Sequence, residues 1–279
     1  LNGGFLLVLL LFVFIFMGIP VAFSVGLASA IVILLFEVVS PAFQPRSILM
    51  VLDSFPLLAI PLFILAGDLM NTGGLSKRLI KLAESLVGRY KAGLAMVTVL
   101  ATSFFATISG SGPATVAAIG SNVIPEMEKR GYPKEYATGV PTVGGMMGVL
   151  FPPSIPFIMY GLAAEVSVGR LFLAGIIPGI LFAIGIAITA RVLYVRMGLN
   201  IPSVPFSFRN FALALKDSFF ALLAPVLVLG GIYGGIFSPT EAAAAVCLYA
   251  FVVGGVIYRE FTIKNLIETF RKSTVTCAM

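Results

Sequence analysis

Residues 92–125 read AGLAMVTVLATSFFATISGSGPATVAAIGSNVIP, an apolar run interrupted near its middle by Ser109-Gly110-Ser111-Gly112-Pro113. A helix needs about 20 residues to cross the roughly 30 Å hydrocarbon layer, and neither limb, 92–108 or 114–125, reaches that length. Arg89 and Lys91 precede the stretch, and Glu126, Glu128, Lys129, Arg130 and Lys134 follow it. Basic residues collect on the cytoplasmic side of a membrane. A segment whose two basic flanks share that side must enter the bilayer and return. The stretch therefore predicts a re-entrant helical hairpin over 92–125, with its tip at the Ser-Gly-Ser-Gly-Pro turn.

The rest of the chain supports the membrane setting. Over 279 residues, 59% are hydrophobic and only 11% charged, with a mean hydropathy of +1.08. An ordinary soluble domain carries about 25% charged residues, and a soluble core could not hide this much apolar surface. Several apolar runs reach the roughly 20 residues that a helix needs to cross the hydrocarbon layer, whereas barrel strands would alternate apolar and polar residues in short segments. The fold class expected is an all-α polytopic membrane protein, with the lipid bilayer as its solvent. The net charge of +6 comes from residues flanking apolar spans, so it is assigned to topology and no nucleic-acid partner is expected. Residues 5–17 lack the basic leader and small-residue cleavage site of a signal peptide, and read as a first span. Cys247 and Cys277 are expected to be free thiols, with no transition-metal site.

Outward from the hairpin, the order of segments is regular. Spans over 5–17 and 21–36 form a tight hairpin around Gly18, Ile19 and Pro20, and a third apolar stretch, 56–70, ends at Asn71-Thr72-Gly73-Gly74. Residues 75–91 place Leu75, Leu79, Leu82, Leu86 and Tyr90 opposite Lys77, Arg78, Lys81, Glu84 and Arg89, an amphipathic helix suited to the membrane surface. A span over 136–164 breaks at Phe151-Pro152-Pro153-Ser154-Ile155-Pro156. Adjacent prolines remove two backbone donors and orphan carbonyls one turn earlier, which hydrocarbon does not tolerate unless protein, water or an ion answers them. The break therefore predicts a cavity. Spans over 171–190, 219–237 and 242–257 follow, the last two meeting at Ser238-Pro239-Thr240-Glu241.

With the hairpin base inside, the N-terminus falls outside, and every Lys and Arg except Arg46 and Arg170 is cytoplasmic. The first and last hairpins then have opposite orientations, and each is followed by an amphipathic stretch. Such inverted repeats are common in secondary transporters. A second repeat as long as the first would continue past Met279, so the chain reads as truncated, in agreement with its start at Leu1.

Hydroxyls, an amide and freed carbonyls converge at Ser109–Pro113, Thr115, Ser121 and Asn122, an oxygen-rich set suited to a hard monovalent cation such as sodium. The alternative is a close helix crossing over small residues, which needs neither Pro113 nor short limbs. Gly144, Gly145 and Pro152–Pro156 likewise read either as a kink or as part of a site. Asp68 and Glu241 lie at expected helix ends and read as interfacial caps. An intramembrane serine protease is disfavoured. The chain has no histidine, and no lysine in an expected span could serve as the base. A non-transporting scaffold subunit would not need two broken helices.

At Ser109-Gly110-Ser111-Gly112-Pro113-Ala114-Thr115, at Phe151-Pro152-Pro153-Ser154 and at Gly235-Ile236-Phe237-Ser238-Pro239-Thr240-Glu241-Ala242, the chain resembles the large membrane subunit of tripartite ATP-independent periplasmic (TRAP) transporters. The resemblance runs over all 279 residues. It implies a multi-pass subunit of the bacterial cytoplasmic membrane that imports carboxylate solutes such as C4-dicarboxylates, sialic acids or sugar acids, with sodium as coupling ion and no other cofactor. It further implies two partners, a small four-helix membrane subunit and a periplasmic substrate-binding protein, and an elevator-type architecture with inverted repeats. Mapped onto this sequence, 1–74 would be scaffold spans, 75–91 a connecting arm, and 92–164 part of a transport domain with the hairpin (92–125) and the broken helix (136–164). Residues 165–218 would be a span and cytoplasmic linker, and 219–279 the start of the second repeat. Sodium is expected at Ser109, Gly110, Ser111, Gly112, Thr115, Gly144 and Pro152, and substrate at Ser111, Pro113, Asn122, Pro153 and Ser154. A proton-coupled carboxylate transporter working without a binding protein is the alternative.

Overall fold

The structure is a computed structural model that describes residues 2–37, 39–203 and 205–278. It is all-helical among the described residues. The chain divides into two compact units, Leu1–Ser54 and Phe55–Met279. Leu1 and Met279, on which the expectation of a truncated chain turns, lie outside the described residues.

In the first unit, α1 (Gly3–Phe16) and α2 (Val21–Phe36) form the expected hairpin around Gly18, whose φ of +82° suits a residue without a Cβ. With 14 and 16 residues, both are shorter than a full crossing. The short α3 (Phe43–Leu52) is tied to α2 by Gln44, whose Nε2 donates to the Gly26 carbonyl at 2.8 Å and to Ser29 Oγ at 3.0 Å.

The second unit opens with a 3₁₀ turn (Phe55–Leu58) leading into α4 (Ala59–Thr72), then α5 (Leu75–Val87). The hairpin limbs are α6 (Gly93–Ser109) and α7 (Gly112–Lys129). The next span is broken into α8 (Lys134–Gly145), α9 (Met147–Leu150) and α10 (Ile155–Ala163). Then come α11 (Val168–Arg196), α12 (Phe208–Tyr233), α13 (Pro239–Val252) with a π turn through Ile257, and α14 (Ile263–Ala278). Among the described residues, five runs are long and apolar enough to cross a membrane: Phe55–Thr72, Lys134–Ala163, Val168–Arg196, Phe208–Tyr233 and Pro239–Ile257. The molecule is thus an all-α polytopic membrane protein.

Side-chain and backbone contacts fix how these helices run. Thr240 Oγ1 donates to the Phe55 carbonyl at 3.1 Å, and at the other end a Cβ on Gly73 would lie 3.0 Å from the Gly254 Cα, so α4 and α13 run parallel. Thr72 meets Thr269 at 2.8 Å and Asp68 meets Lys272 at 2.8 Å, so α14 runs antiparallel to α4.

Two expectations change in detail. The apolar stripe of α5, with Leu75, Leu79 and Leu82 at most 2% exposed, is covered by protein rather than lipid. Amphipathic periodicity records only that one face is dry, whatever covers it. The second hairpin limb runs through Pro125 to Lys129, because a proline removes one helical donor without ending a helix whose next turn is closed by Arg130. Arg130 Nε bonds Glu126 at 2.8 Å and its Nη2 bonds Glu84 of α5 at 3.0 Å. Burial works against that charge, but the bonds to the two carboxylates outweigh it and hold the guanidinium above the ordinary arginine pKa.

Candidate functional site at the hairpin tip

The tip forms because the local sequence both stops one helix and starts another. Gly110 takes φ +61°, a left-handed conformation that closes α6 at low cost only for a residue without a Cβ. Ser111 is extended and its hydroxyl accepts from the Ala114 N–H at 3.4 Å, capping α7, with Pro113 in the first turn where its missing donor is not needed. Across from it, α9 ends at an extended Phe151, and α10 restarts after the extended Ser154 with Pro156 in its first turn.

These two breaks meet. The Ile155 N–H donates to the Gly110 carbonyl at 3.0 Å, so the start of α10 is bonded directly to the tip. Bare backbone makes the approach possible. A Cβ on Gly110 would fall 2.7 Å from the Pro153 carbonyl oxygen, and one on Gly148 would fall 2.6 Å from the Ser111 carbonyl oxygen. One on Gly112 would lie 3.2 Å from the Gly145 carbonyl oxygen.

The hydroxyls form a small network inside this contact. Thr115 Oγ1 donates to the Ser111 carbonyl at 2.8 Å, which leaves Ser109 Oγ, also 2.8 Å away, to donate to Thr115 Oγ1. Ser109, Thr115 and Ser154 are at most 1% exposed. Ser154 Oγ donates to the Val149 carbonyl, which answers one oxygen of the broken helix. No Asp, Glu, Lys or Arg occurs in 92–125 or 136–164. The site is therefore oxygen-rich and uncharged. The C-terminal ends of α6 and α9 bring carbonyl dipoles to it, and the N-terminal ends of α7 and α10 bring amide dipoles. Such an arrangement can strip a monovalent cation of water on one side and favour an anion on the other.

The structure brings together most of the residues singled out from sequence: Ser109, Gly110, Ser111, Gly112, Thr115, Pro153 and Ser154 lie in the tip-and-break contact, and Pro152 is buried beside it. Pro113 is exposed on the outer side of the turn. Gly144 instead faces α6, where a Cβ would lie 2.9 Å from Thr102 Oγ1. Asn122 lies ten residues along α7 from Gly112, about 15 Å at the helical rise. Its amide donates to the Ala118 carbonyl of its own helix at 2.8 Å. Sequence reasoning passed over Gly148, Thr102 and Gly67. The four-residue spacing of Gly144 and Gly148 was the available signal for the first.

The two acids read as caps part company. Glu241 does close a capping box, accepting from the Ser238 N–H at 2.7 Å while Ser238 Oγ accepts from the Glu241 N–H at 3.3 Å. Asp68 caps nothing: its carboxylate is bound by Lys272 and Ser273 of α14. The correction has a tertiary cause, since those partners lie more than 200 residues away in the chain.

A family model, Tripartite ATP-independent periplasmic transporter, DctM component, matches residues 8–279. The chain is 45% identical over 249 residues to a C4-dicarboxylate TRAP transporter large permease protein of Vibrio cholerae, covering 87% of this chain and 54% of that protein. It is 40% identical over 266 residues to an isethionate TRAP transporter permease protein of Oleidesulfovibrio alaskensis, covering 95% and 42%. A sialic acid TRAP transporter large permease protein of Vibrio cholerae is 36% identical over 265 residues, covering 95% and 62%. The chain spans about half the length of these curated relatives. The hairpin, the proline break and these matches over nearly the whole sequence together establish that the chain belongs to the DctM component family of tripartite ATP-independent periplasmic transporters.

Proposed function

We propose that this chain is the permease portion of a sodium-coupled importer of small organic anions in a bacterial cytoplasmic membrane, with its N-terminus on the periplasmic side. The observation that carries the reading is the direct bond between the tip and the break, Ile155 N–H to the Gly110 carbonyl, which joins two interrupted helices around an uncharged, oxygen-lined contact. Sodium is held by the carbonyl-rich ends at Ser109–Gly112 with the Thr115 hydroxyl, and the anionic group of the substrate faces the amide-rich starts of α7 and α10. The relatives named for C4-dicarboxylate, sialic acid and isethionate extend the solute class to carboxylates and sulfonates.

A periplasmic binding protein delivers the solute and a small membrane subunit completes the scaffold. Movement is of the elevator type, with α5 as connecting arm. The test is uptake of labelled succinate, sialic acid and isethionate into proteoliposomes holding the complete large subunit, its small subunit and a cognate binding protein, with and without a sodium gradient. Uptake that needs both sodium and the binding protein supports the proposal. Uptake on a proton gradient alone, or without the binding protein, overturns it.

A further inference from the structure

We propose that Asp68 is a positioning residue that sets where the hairpin tip sits, an inference that rests on the reading of the tip as the cation site. Asp68 is 7% exposed and lies within the span Phe55–Thr72. An ionised group in such a place is costly unless paired and hydrogen-bonded. Both of its oxygens are answered by α14: Lys272 Nζ donates to Oδ1 and Ser273 Oγ to Oδ2, each at 2.8 Å. One turn on, Thr269 Oγ1 spends its proton on the Asn265 carbonyl at 2.8 Å, so the Thr72 hydroxyl is the donor in the 2.8 Å contact with Thr269. Two successive turns of α4 are thereby pinned to α14, which fixes the height and rotation of α4.

The residue before Asp68 is the point at which α4 meets the tip. A Cβ on Gly67 would lie 3.2 Å from both Cα and Cβ of Ser109, so α4 presents bare backbone to the tip at a distance too short for a side chain to fit comfortably. Neighbours on a helix are about 100° apart, so the carboxylate faces α14 while Gly67 faces the hairpin. The path is short and continuous: Lys272 and Ser273 hold Asp68, Asp68 orients Gly67, Gly67 backs Ser109, and Ser109 donates to Thr115, whose hydroxyl in turn holds the Ser111 carbonyl. An ion pair that merely joined two helices would have no reason to affect one end of the hairpin more than the other.

The experiment uses the complete large subunit with its small subunit. Hydrogen–deuterium exchange is followed over residues 105–115, at the tip, and 93–97, at the base, alongside the sodium dependence of uptake. Asp68→Asn and Lys272→Met are expected to speed exchange at the tip about 5- to 10-fold with the base unchanged, and to raise the half-saturating sodium concentration by a similar factor while maximal uptake stays within about twofold. Ser273→Ala, which keeps the charge pair, should fall between these and the unsubstituted protein, and Asp68→Glu should restore part of the sodium response. Unchanged tip exchange, or equal loosening of tip and base, overturns the inference. If uptake proves independent of sodium in the unsubstituted protein, the cation reading fails, while the exchange measurement still decides the positioning role. Should Asp68→Asn not fold, Ser273→Ala carries the same comparison.

Discussion

Gly148→Ala is the sharpest single perturbation of the tip-and-break contact. The new methyl would stand 2.6 Å from the Ser111 carbonyl oxygen, 2.7 Å from its carbon and 2.9 Å from the Gly112 nitrogen. All three are backbone atoms, so no side chain can rotate away. Ordinary contact begins near 3.4 Å, and the tip and α9 must part by about 0.8 Å. That exceeds the roughly 0.5 Å within which a binding constellation keeps its geometry. Overpacking of this kind costs about 1–3 kcal/mol. Whatever part of that cost the tip and α9 relieve by parting in the sodium-free state must be met again when the cation binds, lowering sodium affinity by up to about 150-fold, and the part that is not relieved lowers the sodium-free stability. Thermal unfolding of the complete permease in detergent, with and without sodium, reads both effects: a lower midpoint without sodium and a smaller upward shift when sodium is added. Gly185→Ala is the control, because a Cβ at that position on α11 would meet nothing within 4 Å, and alanine should be neutral or slightly stabilising there. A Gly148→Ala protein with the unsubstituted midpoint and sodium shift would refute the close contact on which the site is built.

Three other substitutions test separate parts of the reasoning. Thr115→Val removes two hydrogen bonds, to Ser109 and to the Ser111 carbonyl, at about 0.5–1.5 kcal/mol each, while the Thr115 N–H still holds that carbonyl, so the sodium concentration for half-maximal uptake should rise about tenfold; an unchanged value would remove Thr115 from the site. Arg130→Gln breaks a half-buried pair between α5 and the hairpin base, and should lower stability by no more than about 1 kcal/mol, an effect that shrinks as salt is added; a loss that is large and insensitive to salt would contradict it. Ser238→Ala takes away one half of the capping box on α13 and should cost about 1 kcal/mol in denaturant unfolding without altering the sodium response; a changed sodium response would place that helix start in the site.

The hairpin was legible because its signals are local. Gly110 and Pro113 dictate a stop and a restart whatever surrounds them, and hydrocarbon leaves a short apolar limb no stable arrangement except to turn back. The proline break at Pro152–Pro156 and the Ser238–Glu241 cap are likewise consequences of backbone chemistry within a few residues. Composition alone fixed the solvent of the fold, since 11% charged residues cannot clothe a chain of this length in water.

Which groups meet was another matter. The bond from Ile155 to Gly110 joins positions 45 residues apart, and nothing in either stretch names the other. Asn122 shares the polar character of the tip, yet helical rise carries it out of reach and its own helix satisfies its amide. Asp68 looks like a cap in sequence because an acid near a helix end usually is one; only the fold delivers Lys272 and Ser273 to its two oxygens. Periodicity told that one face of α5 is dry, and the fold decided that helices rather than lipid cover it. The sequence determined where backbone polar groups would be freed and the membrane as the medium that penalises them, because both follow from nearest neighbours and composition. Tertiary structure alone determined which partners answer those groups, because contact between distant segments depends on the packing of whole helices and on the few glycines bare enough to let backbones touch.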